Sequence, residues 1–121
     1  MSIRLIIVDN HPVLRLGLQT FLRLDEEIEI AGIAVNGLEA VQKVRELKPD
    51  VVIMDLMMPV MDGFEATAII KREMPEVRVL ILSSAQWESS ISKAMLAGAD
   101  GYFIKGKDVD TLHQAIKGAV T

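Results

Sequence analysis

Asp9 and Asp55 each close an apolar run, LIIVD and VVIMD, with no glycine or serine to cushion the change from hydrocarbon to carboxylate. Two other runs end in complementary groups: RVLIL leads into Ser83, and GYFIK ends in Lys105. A single aspartate in such a place is ordinarily a turn or cap residue, and a single lysine or serine is ordinarily solvated. Their joint occurrence at four run ends has a chemical reading. If the runs are neighbouring strands, two carboxylates stand side by side and, at ~4 Å and an effective dielectric near 20, repel by about 4 kcal/mol. A cation would compensate. Oxygen ligands without sulfur favour a hard ion, and Mg2+ characteristically takes one or two carboxylates, several waters and a phosphate. Stabilising a phosphoryl group in transfer calls for a nucleophilic oxygen, a metal, a cationic clamp and a hydrogen-bond donor. The four run ends supply the protein's share of these.

Such residues can meet only if the chain folds them to one edge, and its patterning provides for that. Five short apolar runs, Arg4 to Val8, Ile28 to Ala34, Val51 to Met54, Arg78 to Leu82 and Gly101 to Ile104, are largely apolar on both faces, as parallel strands covered on two sides are. Helix signals fill the gaps. Pro12 suits the first turn of a helix to about Leu24. Asn36 with Glu39 has capping-box spacing ahead of Leu38, Val41, Val44 and Leu47, and Asp62 with Glu65 repeats it before Phe64 to Glu73. A fourth helix is expected from about Ser89 to Ala97, and Asp108 is placed to cap a fifth that carries Leu112, Ala115, Ile116 and Ala119. Pro49 and Pro75 stop the helices before them. Strand and helix alternating five times imply a flavodoxin-like (βα)5 fold: a doubly wound, five-stranded parallel sheet in the order 2-1-3-4-5, helices on both faces. In that order the winding reverses between strands 1 and 3, where ligands bind. Asp9 and Asp55 fall there.

Composition limits the alternatives. At 121 residues the chain fits one domain, residues 1–121. A net charge of -4 gives no basic footprint for nucleic acid. The absence of cysteine removes disulfides, thiolate metal sites and a Cys nucleophile. The apolar runs are too short for a membrane span or a signal-peptide core, so a soluble, cytoplasmic protein is expected.

The segments IIVDNHPV, VVIMDLMMPVMDGFEA, VLILSSA and AGADGYFIK resemble the receiver domain of bacterial two-component response regulators, over essentially the whole chain. The resemblance implies that Asp55 accepts a phosphoryl group from a sensor histidine kinase as a mixed anhydride. It implies that Asp9 binds Mg2+, with the Asn10 side chain, Asp55 and the Met57 backbone carbonyl as further ligands. Ser83 would reach for the phosphoryl oxygens, Lys105 would pair with Asp55 and then with the phosphate, and Tyr102 holds the aromatic switch position. On this reading the protein is a switch, not an enzyme in its own right, and it forms a homodimer when phosphorylated. His11, Pro12 and the glycine after Lys105 are most similar to the NarL/LuxR subfamily, whose members usually carry a helix-turn-helix domain after the receiver. Contact with DNA would then require a C-terminal domain outside this chain, and the abrupt GAVT end favours a portion of a longer protein over a stand-alone receiver. His11 is expected to be only a residue of the loop before the first helix.

One position departs from the pattern. Most receivers have two acids after the first strand, whereas here Asn10 follows Asp9. An amide offers a carbonyl oxygen but no charge, so Mg2+ is expected to bind more weakly, and a receiver-like interaction module that no longer uses phosphate is the alternative. Met57 and Ala85, two residues past Asp55 and Ser83, offer nothing to orient an attacking water, which points to slow self-dephosphorylation. A haloacid dehalogenase-like phosphatase would need a second acid at position 57 for acid-base work. A flavin site would need an amide-rich loop after the first strand, where DNHP stands.

Overall fold

A computed structural model describes residues 2–119 of the chain. Ten elements alternate along it: β1 (Ile3–Val8), α1 (Pro12–Arg23), β2 (Ile28–Ala34), α2 (Gly37–Leu47), β3 (Val51–Met54), α3 (Gly63–Glu73), β4 (Arg78–Ser83), α4 (Glu88–Leu96), β5 (Gly101–Ile104) and α5 (Val109–Gly118). The strands form one parallel sheet in the order β2-β1-β3-β4-β5, as the alternation of patterns predicts.

Side chains leave a strand on alternate faces, and the core divides accordingly. Ile6, Val8, Val52, Met54, Val79 and Ile81 face one layer, with Ala40, Val44, Ala66, Ile70 and Ala94 from α2, α3 and α4. Leu5, Ile7, Val51, Ile53, Leu80 and Leu82 face the other, with Leu18 and Leu22 from α1 and Leu112 and Ile116 from α5. Each fully buried Leu or Ile contributes roughly 1.5–3 kcal/mol relative to exposure. The central strand β3 is buried throughout, while the edge strands β2 and β5 are only partly covered.

The helix signals have the expected atoms behind them. Asn36 accepts from the Glu39 amide and Asp62 from the Glu65 amide, both at 2.9 Å. Pro12 opens α1. Asp108 is the exception: it holds the cap position of α5, but its carboxylate makes no capping bond and turns back to accept the Ile104 amide at 2.8 Å. It closes the β5–α5 turn, with its carbonyl taking the Leu112 amide as the first bond of the helix. Trp87 is the residue before the first turn of α4 and is well exposed. No described helix is long and apolar enough to cross a membrane.

Candidate functional site

The register of β1 and β3 builds the site. Val8 pairs with Met54 at the carboxyl end of both strands, and the next residue on each is an aspartate. The Asp55 amide donates to the Val8 carbonyl and the Asp9 amide to the Ala34 carbonyl, both at 3.0 Å, so the ladder extends one step past each strand and fixes both carboxylates at the switch point. Both residues are buried, Asp9 at 5% and Asp55 at 3% exposure. Burial of that degree disfavours an unpaired charge.

Lys105 supplies the partner. It follows β5, its amide bonded to the Ser83 carbonyl at 2.9 Å, and its ammonium lies 3.0 Å from Asp9 Oδ2 and 3.1 Å from Asp55 Oδ2. One cation thus bridges two buried anions and leaves the pocket one negative charge in excess. Burial pushes the Asp55 carboxyl above its usual range; Lys105 pulls it down, the Asp9 charge pushes it up again, and the Leu56 amide, bonded to Oδ1 at 2.8 Å, stabilises the anion. The α3 end closes tightly over this point: a Cβ on Gly63 would stand 2.0 Å from the Asp55 carbonyl oxygen. Only glycine fits.

Ser83 and Tyr102 form a second group beside the first. Ser83 is buried, and its hydroxyl accepts the Ala85 amide at 3.1 Å, while the Tyr102 hydroxyl donates to the Ala85 carbonyl at 2.8 Å. The peptide groups on either side of Ala85 therefore link the two residues. Among the described residues no hydrogen bond joins either of them to the carboxylates. Met57 lies two residues past Asp55 with its side chain in solvent. Asn10 is half-buried, and its carbonyl oxygen is buried without a hydrogen-bond partner.

His11, expected to be only a loop residue, lies in the site. Its ring Nδ1 lies 2.9 Å from Asp9 Oδ1 and 3.5 Å from Asp55 Oδ2. Asp9, His11 and Asp55 each place one donor atom within 4.8 Å of the others. The signal was present, since a side chain two residues past an aspartate can fold back over it, but a histidine before a helix-opening proline looks like plain loop.

The donor set suits a divalent cation: two buried carboxylates, an orphaned amide oxygen on Asn10 and a net negative pocket. Fold and pocket together define a flavodoxin-like domain with an acidic site at the switch point. The profile of the response regulator receiver domain matches residues 5–117. The chain is 38% identical over 117 residues to response regulator protein VraR of Staphylococcus aureus, which covers 97% of this chain and 56% of that protein. It therefore spans little more than half the length of that relative. A LuxR-family two-component response regulator from an Aurantimonas species superposes with a TM-score of 0.91 at 35% identity, over 98% of this chain and 84% of that one. The response regulator domain of Thermotoga maritima CheB gives 0.91 at 31% identity, over 98% and 96% of the two chains. The chain belongs to the response regulator receiver domain family, a class of signalling domains rather than enzymes in the ordinary sense, and its relatives include regulators of the NarL/LuxR type.

Proposed function

We propose that this receiver is a phosphorylation-dependent switch in which Asp55 takes a phosphoryl group from a sensor histidine kinase. The observation that carries the reading is the buried Asp55 carboxylate held 3.1 Å from the Lys105 ammonium, beside Asp9. An Asp55 carboxylate oxygen attacks phosphorus and an O–P bond forms, while the N–P bond of the donor phosphohistidine, protonated on its other ring nitrogen, breaks with its electron pair staying on nitrogen, so that neutral imidazole leaves. Lys105, already on Asp55, shifts its charge to the incoming phosphoryl oxygens. Asp9, Asp55, the Asn10 amide oxygen and the Met57 carbonyl would hold Mg2+, which would neutralise charge on the transferring group.

Ser83 then exchanges its Ala85 bond for one to the phosphoryl oxygens. Losing that bond frees Ala85, and with it the carbonyl that Tyr102 now holds, so the face formed by α4 and β5 shifts between two packings. A homodimer of the phosphorylated form, cytoplasmic location and control of DNA through a further domain extend the same reading. With Met57 and Ala85 unable to orient water, the aspartyl phosphate is long-lived.

Acetyl phosphate with Mg2+, followed by intact-mass measurement, tests this directly. The mass of one phosphoryl group should appear on the wild type and be lost in Asp55→Ala. An unmodified wild type would favour the phosphate-independent module that Asn10 suggests.

A further inference from the structure

Among the oxygens of the pocket stands one nitrogen, that of the His11 ring. The His11 Nδ1 separations, 2.9 Å to Asp9 Oδ1 and 3.5 Å to Asp55 Oδ2, are those of atoms that can share one ion. Adjacent octahedral ligands with bonds of about 2.1 Å stand about 3.0 Å apart, and tetrahedral ligands on Zn2+ about 3.4 Å apart. The observed values bracket both. Beside them the Asn10 carbonyl oxygen is buried without a partner. Replacing an anionic oxygen by a neutral amide weakens the hold on a hard, strongly hydrated ion, whereas an imidazole adds a borderline donor that favours transition metals.

We propose that His11 is a direct nitrogen ligand of the cation held by Asp9 and Asp55, so that the pocket favours a divalent transition-metal ion over Mg2+ more than an all-oxygen pocket would. This rests on the cation reading of the same pocket. The His11 ring has no structural duty at the helix end: His11 precedes the first turn of α1, yet its side chain makes no capping bond. The ring is about half exposed and leans on the two carboxylates. Asp9 Oδ1 accepts the His11 amide at 2.8 Å and faces the ring, while Lys105 lies on the Oδ2 atoms of both aspartates and would give up Asp55 Oδ2 to the ion. Ligation uses the Nδ1 lone pair, so the proton on the ring resides on Nε2 when the ion is bound.

Mn2+ alone, added to the full chain without a phosphoryl donor, is the probe. Electron spin-echo modulation of the bound ion reads directly coordinated imidazole nitrogen. That modulation should be present in the wild type and absent in His11→Gln, which still binds Mn2+ through Asp9 and Asp55. Loss of a partner that merely supports a ligand costs about 10–100-fold in metal affinity, so the preference for Mn2+ over Mg2+, from competition calorimetry, should fall by about tenfold or more in the variant. Bound Mn2+ without nitrogen modulation in the wild type, or an unchanged preference in His11→Gln, overturns the role of His11 and leaves the cation reading standing. A wild type that binds neither ion overturns both.

Discussion

Val60, in the loop between Asp55 and α3, sits in the left-handed region with φ 72° and its side chain 77% exposed. A β-branched residue there pays about 1–2 kcal/mol in contact between Cβ and the following carbonyl, and an exposed side chain recovers little by packing. Val60→Gly should therefore raise the free energy of unfolding by about 1 kcal/mol after the added entropy of the unfolded chain is counted. Urea unfolding reads this as a higher midpoint at constant slope; a midpoint that stays put or falls would show that the loop has other reasons for valine. Asp55 is a second residue that acts against stability. Burial raises its carboxyl pKa in the folded state, so its contribution is most favourable at low pH and is lost as pH rises through the raised value. At neutral pH Asp55→Asn should be more stable than the wild type by on the order of 1 kcal/mol. The advantage should shrink as the pH is lowered toward about 4. Equal stability at pH 7 would mean that Lys105 fully compensates the buried charge.

The elements were legible in the sequence because they repeat one device. A continuous apolar run can be covered on both faces only inside a parallel sheet, and capping pairs such as Asn36 with Glu39 mark where helices begin. The observed bounds differ from the expected ones by one or two residues: β1 begins at Ile3, β4 continues to Ser83 and α4 spans Glu88–Leu96. Strand ends depend on hydrogen bonds between strands, which no local pattern records. Asp108 shows the same blindness, since a carboxylate in the cap position was captured by the Ile104 amide. So does Asp25, between α1 and β2, whose partners lie far along the chain. Its carboxylate accepts His113 Nε2 at 2.7 Å and Lys117 at 3.0 Å, fastening α5 to that loop. The His113 bond, the Glu27 amide and Lys117, in that order, hold its carboxyl well below the usual range. A depressed folded pKa contributes stability that is present above the unfolded value and lost as pH falls, opposite in sign to Asp55. Asp25→Asn should unfold at lower urea than the wild type at pH 7, and the gap should narrow below about pH 4. A gap that does not change with pH would assign the loss to packing instead of charge.

For the molecule as a whole, the site and the fold are one energetic object. Asp9, Asp55 and Lys105 come from the ends of three strands, and each of those strands contributes side chains to the core on both sides of the sheet. An ion that binds only when the three ends are assembled must stabilise the entire domain, because the unfolded chain presents Asp9 and Asp55 far apart. By linkage, free Mg2+ at a hundredfold excess over its dissociation constant should add about 2.7 kcal/mol to unfolding. The acidic net charge of -4 supplies a competing explanation, since any divalent salt screens repulsion among surface carboxylates. The two are separable. Screening responds to ionic strength and is indifferent to Asp9, whereas site binding saturates and requires it. Unfolding followed against MgCl2, with NaCl at matched ionic strength as the reference, should show a saturating gain in the wild type and none beyond the salt effect in Asp9→Asn. If Asp9→Asn gains as much from MgCl2 as the wild type does, the ion is acting on the surface and the acidic pocket is not where it binds.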